Sequence, residues 1–312
     1  MNGRLGRIAV VGAGAVGAYY GVRLAHAGED VSFLLRSGLD AVRERGWTVR
    51  VMPEPAEEFA IRPAQCFGRT EEIGSVDLVI VALKATANDA LPRLLPPLLH
   101  ETTAILNLQN GLGSDEWLAS RFGPERVLGG LCFVCLNRTV SGVIECYHRG
   151  SVAMGEFGRG AGPRAHGIGE ALRSSGVECL VADNLLEMRW HKLIWNVPFN
   201  GLSIASGGIT TDRILANERL AAEVVTLMRE VQATAAAFGY RIPDAFLARQ
   251  VEVTIPMGAY KPSSLVDFLD GRAVEVEAIW GEPLRRAREA GVATPRLEAL
   301  YDQLCRICPG NR

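Results

Sequence analysis

Lysine is scarce in this chain: it supplies three of the 33 basic side chains, and the other thirty are arginine. Arginine stays charged at any working pH, so a basic residue that must give up a proton is sought among those three. Scarcity alone also fits an arginine-rich coding bias, so the surroundings of each lysine carry the argument. Long apolar runs are lacking as well. Each is broken by glycine, proline or charge, which argues against a membrane span, and the turn-rich opening leads into a strand rather than a signal-peptide core. With a net charge of −2 and scattered arginines, no basic stripe exists for nucleic acid. No histidine stands at a metal-binding spacing, and no metal is expected; His191 reads as a neighbour of Lys192 rather than a catalyst. Seven cysteines, an odd number, fit reduced thiols in a cytoplasmic protein better than a disulfide framework. Cys132 with Cys135 and Cys305 with Cys308 have the C-x-x-C spacing of a four-sulfur zinc site. The first pair lies on a strand-like segment, where residues three apart face opposite sides, so core thiols are the preferred reading.

At 312 residues and 48% hydrophobic content, the chain has the material for two domains. It opens with an apolar strand, Arg7 to Val11, followed by Gly12-Ala13-Gly14-Ala15-Val16-Gly17 and a helical pattern to Ala27. In strand-turn-helix context this G-x-G-x-x-G predicts dinucleotide binding. The first glycine permits the turn, the second admits a pyrophosphate, the third lets the helix pack on the strand, and the helix N-terminus presents N–H groups to the phosphates. A merely tight turn between strand and helix is the alternative. The second strand, Asp30 to Leu35, ends in Arg36 rather than an acid that would accept from a ribose 2′-hydroxyl. A guanidinium there suits the 2′-phosphate of NADP, with Ser37 adding a hydroxyl; an ordinary surface arginine is the other reading. Asp77 to Leu83 reads as a buried parallel strand delivering Lys84 at its carboxyl end, and Thr103 to Leu108 delivers Gln109-Asn110-Gly111. Strands at Val127 to Leu136, Val143 to Met154 and Glu178 to Val181, with a helix at Arg164 to Ser174, close the first domain.

From Asn184 the periodicity is helical: Leu185 to Ser203, Arg213 to Phe238, Asp244 to Val253, Ala273 to Ala290 and Arg296 to Cys305. The expected class is therefore α/β, with an N-terminal Rossmann-type NADP-binding sheet domain over 1–182 and an all-helical substrate and catalytic domain over 183–312. The cleft between them is the natural substrate site. In the first helix Lys192, Asn196 and Asn200 recur every four residues and share a face amid Leu193, Ile194, Trp195, Val197, Phe199 and Leu202. An ordinary solvated face would carry more charge than two amides, so the stripe reads as a partly desolvated reaction site with Lys192 as its acid. Pro198 removes one backbone bond and should bend the helix between the asparagines.

Together, Gly12 to Gly17, Leu83-Lys84, Gln109-Asn110-Gly111, Lys192-Leu-Ile-Trp-Asn196-Val-Pro-Phe-Asn200, Ser263-Ser264 and Gly271-Arg-Ala-Val-Glu275-Val-Glu-Ala-Ile-Trp-Gly281 resemble the ketopantoate reductase family over nearly the full length. The resemblance implies hydride transfer from NADPH to the ketone of a 2-oxo acid, with Lys192 protonating the developing alkoxide. It further implies that Asn110 holds the nicotinamide ribose and the substrate, that Asn196 and Asn200 bond substrate oxygens, and that Ser264 contacts the carboxylate. Glu275 would bond the cofactor and orient the lysine, and Lys84 would lie near the nicotinamide end. Taken alone, Ser263, Ser264 and Glu275 read as a helix cap and a solvated carboxylate. A homodimer through the helical domain is also implied. Val274 and Trp280 stand where many relatives carry Thr and Asn, and near Thr210 some carry a substrate-binding asparagine; these departures point to a change in the 2-oxo acid accepted. Two other readings stay open. One is a reductase of another 2-oxo acid in the same family; the other is a non-catalytic NADPH-sensing protein, for which a proton donor has no evident use.

Overall fold

The computed structural model describes residues 4–52, 57–140 and 142–308. The chain forms two compact units, one from residues up to 109 together with 114–185, the other from 110–113 together with 186 onward. The first is built on a sheet and the second is helical, as the alternation of elements implies.

The sheet unit contains β1 (Arg7–Val11), β2 (Asp30–Leu34), β3 (Trp47–Val51), β4 (Glu57–Ile61), β5 (Gln65–Phe67), β6 (Leu78–Val81), β7 (Ala104–Asn107), β8 (Val127–Val140), β9 (Val143–Glu156) and β10 (Glu178–Val181). Its helices are α1 (Ala15–His26), α2 (Leu39–Arg45), α3 (Thr70–Ile73), α4 (Leu91–Leu94), α5 (Ser114–Phe122) and α6 (Pro163–Ser174). Strands β5-β2-β1-β6-β7-β8 lie side by side and parallel. The chain moves outward in one direction from β1 to β2 and in the other from β6 to β7, so the carboxyl ends of β1 and β6 flank a topological switch point. Along β1, Ile8 and Val10 enter one apolar cluster while Ala9 and Val11 enter another. A strand buried on both faces needs the unbroken apolar run seen in its sequence.

The antiparallel pair β8 and β9 runs beyond the expected ends, to Val140 and Glu156. The outer edge of β9 takes up β3 along Val143–Cys146 and β10 along Ser151–Met154, and β4 pairs antiparallel with β3. This extension covers α1: Tyr19, Tyr20 and Val22 share one cluster with Val10 and Phe33 of the parallel strands and with Trp47, Val49 and Ile144 of the extension. Residues 17–24 of α1 are consequently all buried, which explains a helix apolar on nearly every side.

The helical unit contains α7 (Leu185–Ala205, counted from Leu186), α8 (Thr211–Leu215), α9 (Glu218–Ala237), α10 (Asp244–Thr254), α11 (Ser263–Leu269), α12 (Glu282–Glu289) and α13 (Pro295–Ile307). The helix expected over Arg213 to Phe238 is two, because Asn217 stops α8 and caps α9 by accepting from the Leu220 amide at 3.1 Å. The helix expected from Ala273 forms only from Val276, and Glu277–Gly281 is a π-helical turn. Trp190, Phe199, Leu227, Met228, Ile279 and Trp280 anchor one apolar cluster. Among the described residues no helix is long and apolar enough to cross a membrane. No disulfide joins any of the seven cysteines.

Candidate active site

In the sheet unit, the turn after β1 depends on its glycines. Gly12 has φ +99°, and a Cβ there would stand 2.5 Å from the Leu83 amide nitrogen. One on Gly17 would stand 2.3 Å from the Gly12 carbonyl oxygen, so the first turn of α1 packs directly on the loop. Gly14 is different: a Cβ there meets nothing within 4 Å. It is the N-cap of α1, no side chain caps that end, and no acid occupies the first turn. The uncapped N–H groups and the open space above Gly14 fit a diphosphate. Arg36 and Ser37 are exposed just past β2, and Lys84 is half-buried at the head of the 3₁₀ turn Ala85–Ala90. Arg138, near the end of β8, donates from Nη1 to the Ala13 carbonyl at 2.9 Å, with its guanidinium 5.4 Å from the Trp47 ring centre. It braces the glycine loop from 125 residues away in sequence, and no local pattern announces it.

In the helical unit, Lys192 donates from Nζ to Asn110 Oδ1 at 2.7 Å. Asn110 lies on the four-residue segment 110–113, and α7 reaches that segment twice, because Arg189 Nη1 donates to the Gly111 carbonyl at 3.3 Å. Arg189 is buried, at 4% exposure. Sequence reading missed it, although a cation three residues before Lys192 lies on the same helical face. On the far side of the segment the Leu112 amide donates to the Ala278 carbonyl of the π turn at 2.9 Å. Gly111 has φ +82°, and a Cβ on it would stand 2.2 Å from that same carbonyl oxygen, so only glycine fits.

The rest of the stripe divides by function. Asn196 is 7% exposed, and its amide has no hydrogen-bond partner among the described residues. Asn200 is fully buried and committed: its Oδ1 accepts from the Ser264 amide at 2.9 Å in the first turn of α11, and its Nδ2 donates to the Asn196 carbonyl at 3.2 Å. Helix α7 continues through Pro198 to Ala205, and side chains bond the carbonyls around the proline, Trp280 Nε1 reaching that of Val197 at 2.9 Å. Val274 and Trp280, the departures read as bearing on the 2-oxo acid accepted, are 2% and 0% exposed and belong to the apolar core. Thr210 opens α8 and donates to the Asp212 carboxylate. Glu275 is buried at 8% exposure, two residues before the π turn, so the reading as a solvated carboxylate does not hold.

The sheet unit thus presents an uncapped helix end behind a glycine turn, and the helical unit a lysine held by an amide. Residues 8–159 match the family described as Ketopantoate reductase PanE/ApbA, and residues 184–307 match its C-terminal family, Ketopantoate reductase PanE/ApbA C terminal. A protein named 2-dehydropantoate 2-reductase from Nostoc sp. is 37% identical, the alignment covering 100% of this chain and 98% of that protein. The crystal structure of 2-dehydropantoate 2-reductase from Geobacter metallireducens superposes with a TM-score of 0.92 at 40% identity, covering 96% of this chain and 99% of the other. That from Methylococcus capsulatus does so with a TM-score of 0.89 at 31% identity, covering 96% of each. The chain belongs to the ketopantoate reductase family and is an oxidoreductase.

Proposed function

We propose that this oxidoreductase reduces the C2 ketone of 2-dehydropantoate to give (R)-pantoate with NADPH, a step toward pantothenate and coenzyme A. The observation carrying the reading is Lys192 Nζ held 2.7 Å from Asn110 Oδ1, within a chain of this family. When bound, the cofactor supplies the hydride to the ketone carbon. Lys192 gives a proton from Nζ to the ketone oxygen as charge develops there, and its positive charge stabilises that oxygen before the proton moves. Solvent then restores the ammonium. Asn110 accepts one of the three Nζ protons and so orients the ammonium. Asn196, with its amide unengaged, donates to substrate oxygens; Asn200 supports it and aims Ser264 toward the carboxylate.

In the same reading the sheet domain, 1–182, binds the nucleotide, and the helical domain, 183–312, carries substrate. Gly12, Ala13, Gly14, Ala15, Val16 and Gly17 hold the diphosphate on the N-terminus of α1. Arg36 pairs with the 2′-phosphate, which makes NADPH rather than NADH the partner. Lys84, Asn110 and Glu275 serve the nicotinamide and its ribose. The odd number of cysteines favours a cytoplasmic location.

One observation favours a second substrate. The Trp280 indole bonds the α7 backbone between Asn196 and Asn200, so replacing a smaller residue there can shift the amides that face the substrate. On this second reading the substrate is a different 2-oxo acid, reduced by the same steps. The deciding measurement is the initial rate of NADPH oxidation with 2-dehydropantoate, beside NADH and a panel of 2-oxo acids. Preference for 2-dehydropantoate establishes the first reading and preference for another oxo acid the second. NADPH binding without turnover of any of them would overturn both in favour of a sensor.

A further inference from the structure

We propose that Arg189 is a positioning residue that acts through the Gly111 carbonyl, fixing the 110–113 segment on α7 so that the Asn110 amide and the Lys192 ammonium meet in a single arrangement. Three anchors hold this short segment. Arg189 grips the Gly111 carbonyl at 3.3 Å, Lys192 grips the Asn110 side chain at 2.7 Å, and the π turn receives the Leu112 amide at 2.9 Å. The Leu112 side chain is itself buried at 2% exposure. Two of the three anchors come from one face of one helix, so the spacing between them is set by helix geometry rather than by loop packing.

The need for such a device follows from the chemistry of the lysine. An ammonium on four methylenes has many rotamers, and an amide at the end of a movable loop could follow it through several of them. A guanidinium on the neighbouring main chain restricts that freedom, because the Gly111 carbonyl it holds lies in the peptide unit directly after the one that joins Asn110 to Gly111. A buried cation also carries a desolvation cost that a surface residue avoids, and a charge-assisted bond to the carbonyl offsets part of it. The glycine adds to the constraint. With φ +82° and no room for a Cβ against Ala278, the segment has one seat on the π turn.

The inference rests on Lys192 as proton donor, and a double-mutant cycle in the full-length protein separates the two claims. The variants are Arg189→Met, Lys192→Ala and the pair, with Arg189→Lys as the conservative control. Arg189→Met is expected to lower kcat about 10- to 100-fold, the scale of a misplaced catalytic group, with smaller rises in KM for the oxo acid and Kd for NADPH through the displaced Asn110. Arg189→Lys recovers most of the loss. In the Lys192→Ala background the same substitution should cost no further kcat, because the proton donor it positions is gone. An equal loss in both backgrounds overturns the positioning role and leaves the acid intact; full activity of Lys192→Ala alone overturns the acid.

A second readout needs no turnover. With only three lysines, protein labelled at the lysine ε-carbon gives three signals, and Lys192→Ala assigns one of them. Arg189→Met should shift or broaden the Lys192 signal while Lys84 and Lys261 stay in place. An unmoved Lys192 signal overturns the proposal. Should Arg189→Met fail to fold, Gly111→Ala unseats the same segment from the π turn, and the same signal must move.

Discussion

Lys192 is asked to do two things, to lend charge and to lend a proton, and one substitution separates them. Lys192→Arg keeps the charge but not a proton that can be given up at working pH. If proton donation dominates, Lys192→Arg and Lys192→Ala should both fall by about 10²–10⁴-fold in kcat, the usual span for general acid catalysis, with NADPH affinity preserved in a fluorescence titration. Arginine activity within about 10-fold of wild type would instead assign the effect to charge. Arg36, exposed beyond β2, is given a binding role alone in the proposed reading. Its loss as Arg36→Ala should weaken NADPH binding by about 1.5–3 kcal/mol, the worth of charged hydrogen bonds, and leave NADH binding unchanged. An unaltered NADPH to NADH ratio, measured by titration with both nucleotides, would remove Arg36 from the phosphate site.

At the scale of elements, α7 serves as both rack and scaffold, and Asn200 shows the second role. Its side-chain oxygen satisfies the Ser264 N–H, one of the donors that a helix cannot satisfy in its own first turn. Asn200→Ala should therefore cost about 1–3 kcal/mol of stability by leaving a buried donor unpaired, read as a lower urea midpoint. A raised KM with unchanged stability would mean that Asn200 serves the substrate alone. The contrast between Asn196 and Asn200 marks where sequence reading stops. Spacing of four residues put both on one face because helical periodicity is local, and the glycine turn and the parallel strands were legible for the same reason. Which amide is engaged depends on α11, 64 residues further on. The pairing of β3 with β9, the grip of Arg138 on Ala13 and the opening of α12 into a π turn are likewise products of distant partners. Val274 and Trp280 show the same limit, because a departure from a family pattern gives a position without its depth; both are core.

The molecule as a whole carries its ionisable burden unevenly. In the sheet unit, burial pushes the Cys66 and Cys179 thiols up to about 11 and the Tyr19 hydroxyl up to about 12, and it holds Tyr20 well above its ordinary value. Cys66, Tyr19 and Tyr20 are at most 3% exposed, and Cys179 is 8% exposed. Below pH 9 these groups keep their protons in both folded and unfolded chains, and their stabilising protonated form is fully present. Above that, the unfolded thiols ionise near their ordinary value of 9 while the folded ones hold their protons to about 11, so the unfolded chain is favoured progressively. Tyr19 extends the loss from about 10 to about 12. Each withheld proton contributes at most about 1.4 kcal/mol per pH unit, enough for a few groups together to matter against total stabilities of about 5–15 kcal/mol. The urea midpoint, followed by circular dichroism, should be flat from pH 7 to 8.5 and then decline steadily to pH 11. In a variant carrying Cys66→Ala and Cys179→Ala the decline between pH 9 and 11 should be shallower, even though the lost packing lowers its midpoint at pH 7. A parallel decline in both proteins would place the alkaline sensitivity outside these thiols, and a midpoint unchanged to pH 11 would show that the interior around α1 admits enough water to ionise them without unfolding.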